Sequence, residues 1–221
     1  MDQRVDLYTE VHKGLRRALM GLLSNAGRLD TTDPKAVADF SDELDFLTGL
    51  LAEHAENEDT FVQPLLDPAE TDLAATIEAA HQELATEINA VVEAYRQLGE
   101  TDEEQAPSTG RRAYYQLAGF IGRYLVHMST EELDVMPYLQ GRLSDQELMD
   151  VQNQLRASIA PPRMADYLRL MIPAMNIQER TAMFSGMKAF APPEALEGAC
   201  QLAASVLDEQ EWHDLCNRVG L

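Results

Sequence analysis

The chain has 221 residues, 45% of them hydrophobic and 25% charged, with 38 Asp+Glu against 17 Lys+Arg and a formal net charge of -21. A field of that sign repels phosphate backbones and anionic lipid surfaces, so neither nucleic acid nor membrane is an expected partner. No apolar run reaches the length of a membrane span, the acidic start lacks a leader pattern, and Cys200 and Cys216 have no metal-like spacing, which together point to a reduced, cytoplasmic protein.

Apolar residues recur in steps of three and four almost throughout, which predicts helices. The first stripe runs Val5, Tyr8, position 12, Leu15, Leu19 and Leu22, and Gly27 follows as a candidate left-handed cap. The second opens at Asp33-Pro34, an N-cap followed by proline at the first helical position. It runs Val37, Phe40, Leu44, Leu47, Leu51, positions 54 and 58, Phe61 and Leu65. Asp67-Pro68 predicts the start of a third helix, with Ile77, position 81, Leu84, Ile88, Val91, Tyr95 and Leu98 on one face and Gly99 at its end. A ten-residue acidic connection from Glu100 to Thr109 leads to the fourth stripe: Leu117, Phe120, Tyr124, positions 127 and 131, Val135 and Tyr138, closed by Gly141. Four such helices with short loops favour an antiparallel four-helix bundle. The acid is concentrated: residues 36–110 hold 19 acidic side chains and one basic one, Arg96, a pattern that reads as solvated helix faces.

Beyond residue 143 three capping-box starts recur at intervals of 32 residues: Ser144…Glu147, Asn176…Glu179 and Asp208…Glu211. An Ala-Pro-Pro follows in the first two units, at Ala160 and Ala191. The expected organisation is therefore a bundle over residues 1–143 and, over 144–221, a smaller set of helical hairpins. The second part serves either to lengthen the core or as a surface for a protein partner or self-association.

The positions skipped in the four stripes are polar. They are His12, then His54 with Glu58, then His81, then His127 with Glu131. Four of the five histidines thus face the seam, one on each helix, and two carry a glutamate one turn further on. At 1.5 Å rise per residue, the offsets from the helix turns bring all six within about two turns of one height. A buried carboxylate needs a partner, and the seam has no Lys or Arg. Two divalent or trivalent cations, bridged by carboxylates and held terminally by imidazoles, would supply it. The alternative is a set of hydrogen-bonded core histidines without metal. The halves also align without a gap: His54-x3-Glu58-Asp59-x4-Pro64 on His127-x3-Glu131-Glu132-x4-Pro137.

With these motifs, residues 1–143 resemble the hemerythrin-like HHE cation-binding domain. The resemblance implies an antiparallel four-helix bundle around two iron ions with an oxo or hydroxo bridge, Glu58 and Glu131 bridging them. His12 and His54 would serve one iron, and His81 and His127 the other. An open position would accept dioxygen or another small diatomic or anionic ligand. Oxygen-carrying members place two histidines one turn apart on the third helix, whereas here Ile77 and Ala85 flank His81 at that spacing. Glu78, Glu132, Tyr8 and Tyr124 are candidate additional donors. Three functions follow as expectations: an oxygen-, redox- or iron-responsive sensing or binding protein; a di-iron oxidoreductase acting on dioxygen, peroxide or nitric oxide; and a structural or interaction protein whose site holds zinc or manganese. The fifth histidine, His213, has no partner motif.

Overall fold

A computed structural model describes residues 4–221, and among them the fold is all-α, with no strand. In chain order the helices are α1 (Thr9–Ala26), α2 (Pro34–Phe61), α3 (Leu73–Gly99) and α4 (Ala106–Thr130). A π turn (Glu131–Val135) leads into α5 (Met136–Arg142). Then come α6 (Asp145–Ser158), α7 (Pro161–Met171), α8 (Ile177–Phe190), α9 (Pro193–Val206) and α10 (Glu209–Val219). These residues form two compact units. One comprises the chain up to Asp6 with Ala18–Leu155, the other Leu7–Arg17 with Arg156–Leu221.

In the first unit, α2, α3 and α4 run antiparallel with the C-terminal half of α1. The rings of Phe40, near the start of α2, and Tyr95, near the end of α3, lie 4.6 Å apart. The seam residues Leu44, Leu84, Val91, Leu117, Phe120 and Val135 are all buried, as the 3/4 spacing requires. Each such side chain removed from water contributes about 1.5–3 kcal/mol.

Helix boundaries follow local chemistry, with some departures from the sequence expectation. Asp33 caps α2 by accepting the Lys35 N–H. Asp67 instead accepts the N–H of Ala69 in a turn, and α3 begins only at Leu73. Its carboxylate therefore closes a local loop rather than a helix end. The fourth helix starts at Ala106, so the last residues of the acidic connection are helical, with Ala106 and Thr109 buried. Neither Gly27, Gly99 nor Gly141 takes a left-handed conformation. Among the described residues only Gly220 does, at the end of α10.

The two aligned prolines act differently. Pro64 cannot donate a backbone hydrogen bond, and α2 ends at Phe61 in a 3-10 turn over Gln63–Leu65. Burial there shifts from the expected Phe61 and Leu65 to Val62 and Leu66. Pro137 has the same defect, but the chain upstream widens instead: the Met136 N–H donates to the Glu131 carbonyl five residues back, and the helix continues.

The second unit is built on the 32-residue repeat. Its core holds Ile172, Phe184, Ala199, Ala203 and Leu215. Asn176 and Asp208 each form a complete capping box, with Glu179 and Glu211. Gly14 of α1 crosses α7 so closely that a Cβ there would lie 3.1 Å from the backbone of Leu170 and Met171.

Candidate metal centre

Glu58 lies three residues before the end of α2, His81 in the third turn of α3, His127 in the last turn of α4, and Glu131 opens the π turn. All four belong to the first unit and are buried. One ligand atom from each lies within 4.8 Å of the others. His54, one turn before Glu58, directs Nε2 to 3.1 Å from Glu58 Oε1, and His127 Nε2 stands 3.2 Å from Glu131 Oε1. His81 Nε2 looks between the two carboxylates, 3.5 Å from Glu58 Oε2 and 3.7 Å from Glu131 Oε1. Those last separations are too long for good hydrogen bonds. They match the span of two bonds of about 2.1 Å meeting at one cation at a tetrahedral or wider angle, roughly 3.4–3.7 Å. His127 Nδ1 is buried with no hydrogen-bond partner. The donor set, imidazole nitrogen and carboxylate oxygen, suits iron, zinc and manganese alike.

The electrostatics point the same way. Burial is the largest single influence on the His81 imidazole and lowers its pKa. The Glu131 and Glu58 carboxylates, with Asp59, outweigh it and push the value up to about 10. The carboxylate pair thus demands positive charge inside the bundle, and a metal cation meets that demand more fully than one proton.

His12 lies on α1 among the residues assigned to the second unit, wholly buried, its ring 5.1 Å from that of Tyr8. Tyr124 is buried beside His127, with centroids 5.9 Å apart. Glu78 is exposed and accepts from Gln82, so it faces away from the centre. His213 is exposed and bonds Asn217. A cavity of about 180 Å³ is lined by Leu51, Ala55, His81, Ala85, Phe120 and Tyr124, among others. Ala85, at the spacing where a further histidine was absent, is one of its walls.

One residue of the centre escapes a seam-based reading. Asp59 accepts the Nδ1–H of His81 at 2.8 Å. It is half exposed and lies off the apolar stripe, so periodicity gives no hint of it. The usable signal is the gapless alignment of the halves, in which an acid follows the glutamate both times, as Asp59 and as Glu132.

Among the described residues no helix is long and apolar enough to cross a membrane. No curated protein and no solved structure matches the chain. The family model for the hemerythrin HHE cation binding domain matches residues 3–139, well over half of the length. A cluster of buried histidines and glutamates that could hold a metal ion, on an all-α bundle, agrees with the match, and the chain belongs to the hemerythrin HHE cation-binding domain family.

Proposed function

We propose that the chain binds two iron ions through His12, His54, Glu58, His81, His127 and Glu131, and that it works as an oxygen-, redox- or iron-responsive binding protein of the cytoplasm. The observation that carries this reading is the convergence of two buried carboxylates on one imidazole nitrogen, at 3.5 and 3.7 Å. A bound iron pair supplies redox and Lewis-acid chemistry at that point. The protein's own part is to keep the donors dry and fixed, since Glu58 and Glu131 are 3% and 1% exposed. The 180 Å³ cavity beside His81 offers mostly apolar room for dioxygen, nitric oxide or a small anion. Cys200 and Cys216, both thiols, accord with a reducing compartment.

Metal analysis combined with absorption spectra under anaerobic and aerobic conditions tests the proposal. It expects close to two iron ions per chain and a charge-transfer band that changes reversibly with oxygen. Stoichiometric zinc after growth in iron-rich medium would refute it.

Tyr124 favours a second reading. A phenol packed against His127 can donate a proton or an electron, as an oxidoreductase acting on peroxide or nitric oxide requires. Catalytic consumption of either compound, lost in His54→Ala, would establish that reading over the first.

A further inference from the structure

His81 and His127 are treated differently by their surroundings. Both present Nε2 to the carboxylate pair, and both rings are buried. The Nδ1 of His127 has no hydrogen-bond partner, whereas that of His81 meets Asp59 at 2.8 Å. Asp59 sits one residue past Glu58, so its carboxylate leaves α2 on a different side from the glutamate and reaches across to α3. One turn of α2 therefore places two acids on the same imidazole from opposite edges, Glu58 towards Nε2 and Asp59 on Nδ1.

An imidazole can ligate a cation only through a nitrogen free of hydrogen, and a neutral ring carries its single hydrogen on either nitrogen. A carboxylate that accepts from Nδ1 holds the hydrogen there, leaves the Nε2 lone pair available and stops the ring from rotating about χ2. We propose that Asp59 is a positioning residue of the metal centre, fixing the tautomer and orientation of His81 so that Nε2 is presented to the bound cation. The inference rests on the metal-binding reading above. A plain surface pairing would strengthen the protein in the absence of metal and leave metal affinity alone. A positioning role does the reverse, and the half-exposed Asp59 side chain can be cut back without opening the core.

The test uses the full chain and zinc as a diamagnetic probe. Affinity is measured by competition with a chelator, and the histidine ring nitrogens are followed by NMR in the zinc-loaded protein. Asp59→Ala is expected to bind zinc about 10–100-fold more weakly than wild type. It should also lose the slowly exchanging Nδ1–H signal of His81, while the metal-free variant melts at the wild-type temperature. Asp59→Asn keeps an acceptor oxygen and should restore both the signal and most of the affinity. Glu56→Ala, which removes an exposed acid from the same helix, should bind zinc as wild type does. Three results would overturn the proposal: wild-type zinc affinity in Asp59→Ala, equal weakening in Glu56→Ala, or a loss confined to metal-free stability. A wild-type protein that takes up no zinc, iron or manganese would sink the metal-binding reading itself. Normal uptake by Asp59→Ala sinks only the role of Asp59.

Discussion

The imidazoles of His81 and His127 meet edge to face, with ring centroids 4.8 Å apart and planes at 75°, although 46 residues separate them in the chain. Neither helix alone could bring two nitrogen donors to this point; the antiparallel packing of α3 on α4 does. The two carboxylates arrive from α2 and from the π turn, so each of these four segments is needed for the set of four. Glu58→Ala and Glu131→Ala should therefore each abolish binding of the metal pair rather than halve it. Metal analysis of the purified variants checks this, and full iron occupancy in either would refute the bridging role.

Metal binding to the folded chain alone should raise its stability. At free metal one hundred times the dissociation constant the gain is about 2.7 kcal/mol per site. Thermal unfolding with and without a chelator should show a clear drop in midpoint for the wild type. Glu131→Ala should be nearly indifferent to the chelator. An equal drop in both proteins would place the stabilising ion elsewhere.

Phe120 is 1% exposed in the core of the first unit and also lines the cavity beside His81. Phe120→Ala should cost roughly 3–5 kcal/mol, the range for removing a buried aromatic ring. Denaturant unfolding of the metal-free protein measures it without interference from bound ions. A cost below about 1 kcal/mol would mean that this seam is not tightly packed.

Gly14 tests the second unit. A Cβ there meets backbone atoms of Leu170 and Met171, which cannot rotate aside as a side-chain end could. Gly14→Ala gains about 1 kcal/mol in helix propensity. The forced separation of α1 from α7 costs about 1–3 kcal/mol. Net destabilisation is the expected sign, read by denaturant unfolding, and a more stable variant would contradict the close crossing.

The Lys13–Glu179 pair, at 2.5 Å, gives the second unit an acid-sensitive contact. Burial raises the Glu179 carboxyl, but the Lys13 ammonium and the Asn176 N–H together hold it below its ordinary value. A carboxyl lowered by folding stabilises the folded state above its unfolded pKa, near 4.3, and loses that contribution as pH falls through the lower folded value. Glu179→Gln should thus cost about 0.5–1 kcal/mol at neutral pH and progressively less below pH 4. Urea unfolding at pH 7 and pH 3 reads the difference, and an equal cost at both would assign the effect to the cap alone.

The polar residues that face the seam were legible, because a polar side chain at an apolar position breaks a periodic pattern. His12, His54, Glu58, His81, His127 and Glu131 are all buried, as that reasoning required. Asp59 was not legible that way, since it acts across a gap between helices that periodicity does not describe. Asp67 misled for a different reason: an Asp-Pro pair suits a turn as well as a helix start, and only the packing of α3 decides between them. Nor does the stripe of α1 tell that residues 7–17 associate with a unit formed 140 residues later. Val5, Leu15 and Leu19 share one pattern regardless of which neighbour covers them.

The π turn before Pro137 holds one residue more than an α-helix would need. Wound as a regular α-helix with every residue kept, the segment would carry everything from Met136 onward about 100° further round from Glu131, whereas deleting any one of Glu132, Leu133 or Asp134 would leave those faces where they are. That regular winding would turn Met136 and Leu139, both buried, away from the core. The surplus residue works as a phase adjuster: it lets a single rod turn Glu131 to the candidate metal centre while Met136 and Leu139 keep to the hydrophobic interior, each set without compromising the other. The first half of the chain, which stops its helix after Glu58, has no such need.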